Sequence, residues 1–164
     1  EVPYWIFSYE PQYELFVRDN MPSLLIFLEK KGILALSFNL FDAICDILHK
    51  KGYMEKAFDL EKTNSSSKLL QALSASISME DICFQFAQML DVSHAQIGFI
   101  TGVGSAWPII RTHLFLNKLQ HIKSDVPIVV MYPGKYEQNQ LRLFNIFTSH
   151  YYRAFHLVGD SNEQ

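Results

Sequence analysis

The fold is decided by the stretch Ile97-Gly98-Phe99-Ile100-Thr101-Gly102-Val103-Gly104-Ser105-Ala106-Trp107-Pro108-Ile109-Ile110-Arg111-Thr112-His113. An apolar run ends here in Gly-x-Gly, after which Ser105 is suited to cap a helix and Pro108 suits a first helical turn. Apolar residues then recur at helical spacing, so the stretch predicts a strand, a turn and a helix over residues 109–122. In an open α/β sheet such a turn lies at the carboxyl ends of the strands, where ligands and partners usually bind.

The rest of the chain continues this alternation of buried strands and helices. Further strands are predicted over residues 4–8, 33–38, 126–132 and 152–158. Further helices are predicted over residues 11–29, 40–50, 53–61, 78–90 and 138–149, and a loop over 62–67. Asn39 and Ser78 are the predicted caps of two of these helices.

The length and composition predict one domain. The chain has 164 residues, of which 49% are hydrophobic, so we expect a single α/β domain over residues 1–158 and a polar C-terminal tail over 159–164. Continuous apolar strands alternating with helices indicate three layers, with a mostly parallel sheet of about five strands and helices on both faces.

Charge and cysteine usage narrow the class of protein. The formal net charge is −3, which argues against direct nucleic-acid binding. The apolar runs are too short to span a bilayer, so no membrane association is expected. Cys45 and Cys83 have no C-x-x-C spacing, which favours reduced cysteines in a cytoplasmic protein.

The glycine turns lack the residues of a phosphate-binding loop. No lysine follows Gly102 and Gly104, and Trp107 interrupts a dinucleotide-type G-x-G-x-x-G pattern. At the second candidate, Lys135 is followed by Tyr136 where a Ser or Thr should bind magnesium. The glycines are therefore interpreted as turn residues, with anion binding as the alternative.

Catalytic and metal-binding patterns are also lacking in the sequence. Ser105 does not stand in a Gly-x-Ser-x-Gly elbow, and the six histidines show no metal-ligand spacing. No pair of carboxylates stands at a strand end for acid–base chemistry. We expect no catalytic residue, no metal and no cofactor.

A binding surface is the remaining hypothesis, because aromatic and arginine residues crowd the last third of the chain. These residue types are enriched at binding hot spots. The alternative is that the aromatics belong to the core and the arginines to ordinary surface. The candidate partner- or anion-binding residues are Gly102, Gly104, Trp107, Arg111, His113, Lys135, Tyr136, Arg142 and Arg153.

Several motifs in fixed order resemble one family. Besides the stretch from Thr101 to His113, they are Glu1-Val2-Pro3-Tyr4-Trp5-Ile6-Phe7, Leu114-Phe115-Leu116-Asn117-Lys118-Leu119-Gln120, Tyr132-Pro133-Gly134-Lys135-Tyr136, Leu141-Arg142-Leu143-Phe144 and Tyr151-Tyr152-Arg153-Ala154-Phe155. The chain resembles the BrxB family, a small component of bacterial BREX phage-defence systems.

The resemblance implies a function and an assembly. It implies a cytoplasmic, non-enzymatic accessory or scaffold protein of an antiphage system, acting through protein–protein interaction with other BREX components. The expected direct partner is PglZ, an alkaline-phosphatase-superfamily BREX protein, and a homodimer is kept open. The fold it implies looks like that of P-loop NTPases but has no functional P-loop. The rival hypothesis is a nucleotide- or nucleic-acid-binding regulator that uses the Gly102–Gly104 turn with nearby Arg and Lys residues.

Overall fold

A computed structural model describes residues 4–63, 66–121, 125–151 and 153–157. The strands are β1 (Tyr4–Tyr9), β2 (Ala35–Asn39), β3 (Ile97–Thr101), β4 (Ile128–Glu137), β5 (Gln140–Leu143), β6 (Phe147–His150) and β7 (Ala154–His156). The helices are α1 (Glu14–Lys30), α2 (Leu40–Lys50), α3 (Met54–Thr63), α4 (Ser66–Ser76), α5 (Met79–Ser93), α6 (Val103–Ala106) and α7 (Thr112–Leu119). A 3₁₀ turn, Pro11–Tyr13, precedes α1.

The strands form one sheet with a parallel part and an antiparallel extension. Five strands run parallel in the order β2-β3-β4-β1-β7, which confirms the mostly parallel sheet predicted from the sequence. Strand β5 pairs antiparallel with the carboxyl-terminal half of β4, and β6 pairs antiparallel with β5. The extension therefore begins at the carboxyl edge of the parallel sheet.

Side chains of the parallel strands alternate between two apolar clusters, because successive residues of a strand point to opposite faces. In β4, Ile128 and Val130 belong to the larger cluster, whereas Val129 and Met131 belong to the smaller one. Helices α2, α5, α6 and α7 supply buried residues to the larger cluster. Helix α1 supplies Met21 to the smaller cluster on the other face. Helices therefore cover both faces, although very unequally.

Two helix caps are confirmed. The Asn39 side chain accepts hydrogen bonds from the backbone N–H groups of Phe41 and Asp42, at 2.9 and 3.3 Å. The Ser78 side chain accepts from the N–H of Asp81 at 3.4 Å. Helix α1 passes through Pro22 without a break and ends before Gly32, whose φ is +78°.

The helix predicted over residues 109–122 begins later than predicted. The chain forms the four-residue helix α6 first, and Ser105 lies inside it rather than at a cap. Trp107 is extended, with ψ of 140°, because a residue before proline avoids helical backbone angles. Helix α7 then begins only at Thr112, so that Pro108 is outside both helices and Arg111 is an N-cap residue without a side-chain capping bond.

The predicted helix over residues 138–149 is also wrong, since this segment forms β5 and β6. Two tight turns interrupt it, at Gln138 and Asn139 and at Phe144 and Asn145, all with positive φ angles. Asparagine tolerates the left-handed conformation that such turns need. Strand β4 likewise continues to Glu137, where the sequence predicted an end at Pro133-Gly134.

Some predictions fall partly or wholly on residues that are not described. In the predicted loop over 62–67, residues 64 and 65 are not described. The prediction is wrong for the other four residues, because Lys62 and Thr63 belong to α3 and residues 66 and 67 belong to α4. The tail over 159–164 lies entirely outside the described residues, so the division into a 1–158 domain and a tail stays a prediction. Among the helices of the described ranges, none has the length and apolar character needed to cross a membrane.

Candidate functional site

The Gly102–Gly104 turn is shaped by close packing. Gly102 has a φ of +69°, and a β-carbon at this position would collide with the side-chain oxygen of Asn39. A β-carbon on Gly104 would lie 2.9 Å from the ring of Phe144. Both glycines are thus required by their neighbours, which gives them a structural role without any ligand.

The helix that follows β2 offers few free donors to an anion. Its first turn already gives the N–H groups of Phe41 and Asp42 to the Asn39 side chain. Backbone N–H groups at a helix start bind phosphate only when they are unpaired. The Asp42 carboxylate stands in the same turn and repels anions.

An aromatic and basic surface forms where the segment after α6 meets the extension. Trp107 stacks on Phe147 with ring centroids 4.2 Å apart, and its edge packs against Phe144 at 6.4 Å. Arg111 is exposed, and Arg111 and His113 line a cavity of about 270 Å³ together with Trp107 and Phe147. We call the group Trp107, Arg111, His113 and Phe147 the Trp107 surface.

The surroundings of His113 favour its neutral imidazole. Its half-buried ring and, to a lesser degree, the neighbouring Arg111 guanidinium lower its pKa below the usual value. The positive charge of the Trp107 surface therefore comes from Arg111. Thr112, between them, is buried at the start of α7.

Two other predicted residues, Lys135 and Arg142, stand opposite each other on the extension. They are exposed partners in the β4–β5 ladder, so two cations share one face of this sheet with the carboxylate of Glu137. Lys135 lines a separate cavity of about 240 Å³ with Glu10 and His156. Arg142 pairs across the next ladder with Thr148, which also lines the Trp107 cavity. Arg142 thus brings a positive charge close to the Trp107 surface.

Tyr136 is an internal residue rather than a surface contact. It is buried, and its hydroxyl lies 3.0 and 2.9 Å from the backbone carbonyl oxygens of Tyr151 and Ala154, to which it donates. Burial raises its pKa. Its hydrogen bonds join the extension to β7, so we leave Tyr136 out of the binding surface.

Arg153 lies apart from the Trp107 surface. Its guanidinium donates to the side-chain oxygen of Gln120 at the end of α7. The Gln120 amide in turn donates to the Tyr151 hydroxyl at 2.6 Å. Arg153 precedes β7, whose first residue pairs with Tyr4 at the amino-terminal edge of the sheet, whereas the Trp107 surface lies towards the opposite edge.

Gly102, Arg111 and Lys135 do not converge on one point. Gly102 lines a cavity between α1 and α2, Arg111 lines the cavity beside Trp107, and Lys135 lines the third cavity. Sequence reasoning missed Phe147 and Phe144, because it placed both in a helix. The sequence signal that could have located them is the alternation of apolar Leu141 and Leu143 with polar neighbours, which is typical of a strand.

The described residues offer no assembled metal centre, since no three His, Cys, Asp or Glu side chains within those ranges are grouped to hold an ion. Both cysteines are free thiols. Burial, followed by the nearby Glu80 carboxylate, raises the pKa of Cys83 to about 12, so this thiol stays protonated and unreactive.

The fold and these surfaces define a parallel α/β domain that presents an aromatic and basic surface near the carboxyl edge of its sheet. The family described as "BREX protein BrxB" matches residues 36–157. The chain belongs to this BrxB family.

Two relatives support the same assignment. The BREX protein BrxB of Bacillus cereus (strain H3081.97) is 36% identical over 163 residues, which cover 96% of this chain and 84% of the relative. The BREX protein BrxB of Escherichia coli O9:H4 (strain HS) is 33% identical over 162 residues, covering 98% of this chain and 80% of the relative. No solved structure matches the chain significantly. The likeness to P-loop NTPases therefore stays a prediction.

Proposed function

We propose that this BREX component is a cytoplasmic, non-enzymatic accessory protein that binds a partner protein of the same defence system through the Trp107 surface. The partner that we propose is the PglZ-type alkaline-phosphatase-superfamily protein. Membership of the BrxB family supports the defence role. The stacked and partly exposed Trp107–Phe147 pair beside Arg111 is the observation that carries the choice of surface.

The composition of this surface suits protein binding. Tryptophan and arginine dominate hot spots because one supplies a large rigid apolar area and the other several hydrogen-bond donors. Phe147 is 42% exposed and the neighbouring Ile146 is 72% exposed, so apolar area remains open around the stacked pair. Lys135 and Arg142 would add electrostatic attraction to an acidic partner surface.

The test is capture of tagged PglZ by purified variants of this chain. We expect Arg111→Ala to weaken capture by at least about 1 kcal/mol, roughly fivefold in affinity, and Arg142→Ala to weaken it in the same direction. Lys50→Ala removes an exposed cation from the end of α2 and serves as the charge-matched control. Thermal unfolding checks that each variant is folded. Full capture by both arginine variants would contradict the proposed surface.

Titration with ATP and GTP in magnesium distinguishes the rival hypothesis of nucleotide regulation from the proposed function. A ligand at a hundredfold excess over its Kd stabilises the folded state by about 2.7 kcal/mol. We expect no such shift, because Gly102, Arg111 and Lys135 line three different cavities. A shift of that size would favour the regulator.

A further inference from the structure

The charges that line the Trp107 cavity have one sign. The described residues of its wall contribute the guanidinium of Arg111 and no carboxylate, together with the hydroxyl-bearing residues Thr112, Thr148 and Ser149. Arg111 forms no ion pair or hydrogen bond through its guanidinium with any described residue. A guanidinium that has no carboxylate beside it is available to one from another molecule.

Thr112 supplies an independent sign of a ligand. The residue is only 7% exposed, and its hydroxyl makes no hydrogen bond with any described residue. Within the described ranges, the side-chain polar atom that is both fully enclosed and unpaired is Gln85 Oε1, so the Thr112 oxygen keeps access from outside. The Trp107 cavity, which Thr112 lines, gives that access. A buried hydroxyl without a partner is costly, so it marks a place for a bound group or an ordered water.

The start of α7 adds backbone donors to the same wall. Arg111 is its N-cap residue and forms no side-chain capping bond. The backbone N–H groups of Thr112 and His113 have no acceptor among the described residues. Unpaired N–H groups at the start of a helix favour a negatively charged group. The helix start, the guanidinium and the buried hydroxyl therefore favour the same kind of ligand.

The other side of the Trp107 cavity is apolar. Trp107 and Phe147 line it with their rings stacked at 4.2 Å, and Leu143 lies beside them. The volume of about 270 Å³ is below the range of roughly 300–1,000 Å³ that is usual for small-molecule sites. It suits one amino-acid side chain, with its hydrocarbon part on the rings and its polar end at Arg111.

We propose that the Trp107 cavity binds the carboxylate of a glutamate or aspartate side chain in an acidic segment of the partner protein. The planar fork of Arg111 donates two parallel hydrogen bonds to a carboxylate, and the Thr112 hydroxyl donates a further one. One guanidinium matches the single charge of a carboxylate better than the double charge of a phosphate. This inference rests on the proposed function, because it names the chemical group that the Trp107 surface recognises.

The chemistry is tested by titrating the protein with peptides and following tryptophan fluorescence. The chain has two tryptophans, so a Trp5→Phe background leaves Trp107 as the reporter. The peptide acetyl-Gly-Leu-Glu-Leu-Gly-amide is compared with the same peptide carrying glutamine, and with inorganic phosphate. We expect the glutamate peptide to bind at least about tenfold more tightly than the glutamine peptide, because only the former pairs with a charged donor. Equal binding of the two peptides, no binding of either, or tighter binding of phosphate would overturn the proposal.

Variants in the same background locate the bound carboxylate. Arg111→Met should weaken binding of the glutamate peptide at least about tenfold, whereas Arg18→Met, at an exposed arginine of α1, should leave it unchanged. Thr112→Val keeps the shape of the side chain and removes the hydroxyl, so it should weaken binding about threefold. Without a peptide it should keep or raise the melting temperature, since the lost hydroxyl has no partner among the described residues. Unchanged binding in either the Arg111 or the Thr112 variant would contradict the proposed site.

The peptide titration and the capture experiment of the proposed function can fail separately. If the glutamate peptide binds through Arg111 while capture survives the arginine substitutions, the carboxylate site stands and the proposed function is wrong. If capture is lost in those variants while the glutamate and glutamine peptides bind equally, the surface is correct and the carboxylate is not what it recognises.

Discussion

Helices cover the two faces of the sheet to different extents. On one face, α2, α5, α6 and α7 enclose the strands, and Ile100, Val130 and Phe115 are fully buried there. On the other face, α1 is the one helix of the described ranges that packs on the small cluster. Trp5 and Phe7 of the interior strand β1 remain half-buried on that side, and Phe155 of β7 is 60% exposed.

Because of this difference, the two faces contribute unequally to the stability of the fold. Apolar area removed from water stabilises a fold roughly in proportion to its extent, so the enclosed face carries most of the stability. The open face carries exposed apolar side chains on the outer side of its helix as well. They are Leu15, Phe16, Ile26 and Phe27.

The largest expected effect on the free energy of unfolding comes from creating a cavity on the enclosed face. Phe115→Ala should reduce the free energy of unfolding by about 3–5 kcal/mol, because it empties a fully buried site. Met21→Ala on the open face should cost about 2 kcal/mol, at the lower end for such truncations, since that cluster can relax towards solvent. Urea unfolding followed by circular dichroism measures both values. An equal loss in the two variants would contradict the unequal faces.

The next effect concerns a polar contact of the enclosed face. Tyr136→Phe removes the hydroxyl that donates to the carbonyl oxygens of Tyr151 and Ala154, and should cost about 1–2 kcal/mol. Tyr13→Phe, at a tyrosine that is 52% exposed, is the control and should be neutral. The same urea experiment applies. A neutral Tyr136→Phe would mean that packing alone holds the extension to β7.

A smaller effect is expected at the cap of α2. Asn39→Ala should cost about 1 kcal/mol, because two N–H groups of the first turn lose their acceptor. Asn39→Asp keeps an acceptor oxygen and should recover most of the loss. Melting temperatures of the three proteins give the comparison, and equal losses in both variants would show that the cap is not the cause.

The smallest effect is expected on the outer side of α1. Phe16→Ser with Phe27→Ser should change the free energy of unfolding by less than about 0.5 kcal/mol per site, since both rings are more than half exposed. Urea unfolding again provides the value. A loss of 2 kcal/mol or more would show that these rings are buried in solution, and that the open face is covered.

Sequence reasoning succeeded where the determinants are local. Asn39 and Ser78 each precede a helix and bond to its first turn, and such caps depend on a few adjacent residues. The parallel sheet follows from continuous apolar strands between helices, which need no knowledge of distant contacts.

It failed where pairing between strands decides the structure. Residues 138–149 have apolar positions compatible with a helix, but pairing with β4 and the turns at Asn139 and Asn145 make them strands. The site was only partly predictable for the same reason. Trp107 and Arg111 are neighbours in sequence, whereas Phe147 joins them only through the register of β6 with Leu143. Arg153 was a further candidate binding residue, and its hydrogen bond with Gln120 holds it apart from the Trp107 surface.

The place of β1 in the sheet also governs how the chain folds during synthesis. Tyr4 pairs with Ile128 on one side and with Ala154 on the other. At about 5–20 residues per second, the first strand leaves the ribosome roughly 6–25 s before either neighbour exists. For that interval an aromatic segment has both of its edges unpaired, which leaves it open to pairing with the wrong strand.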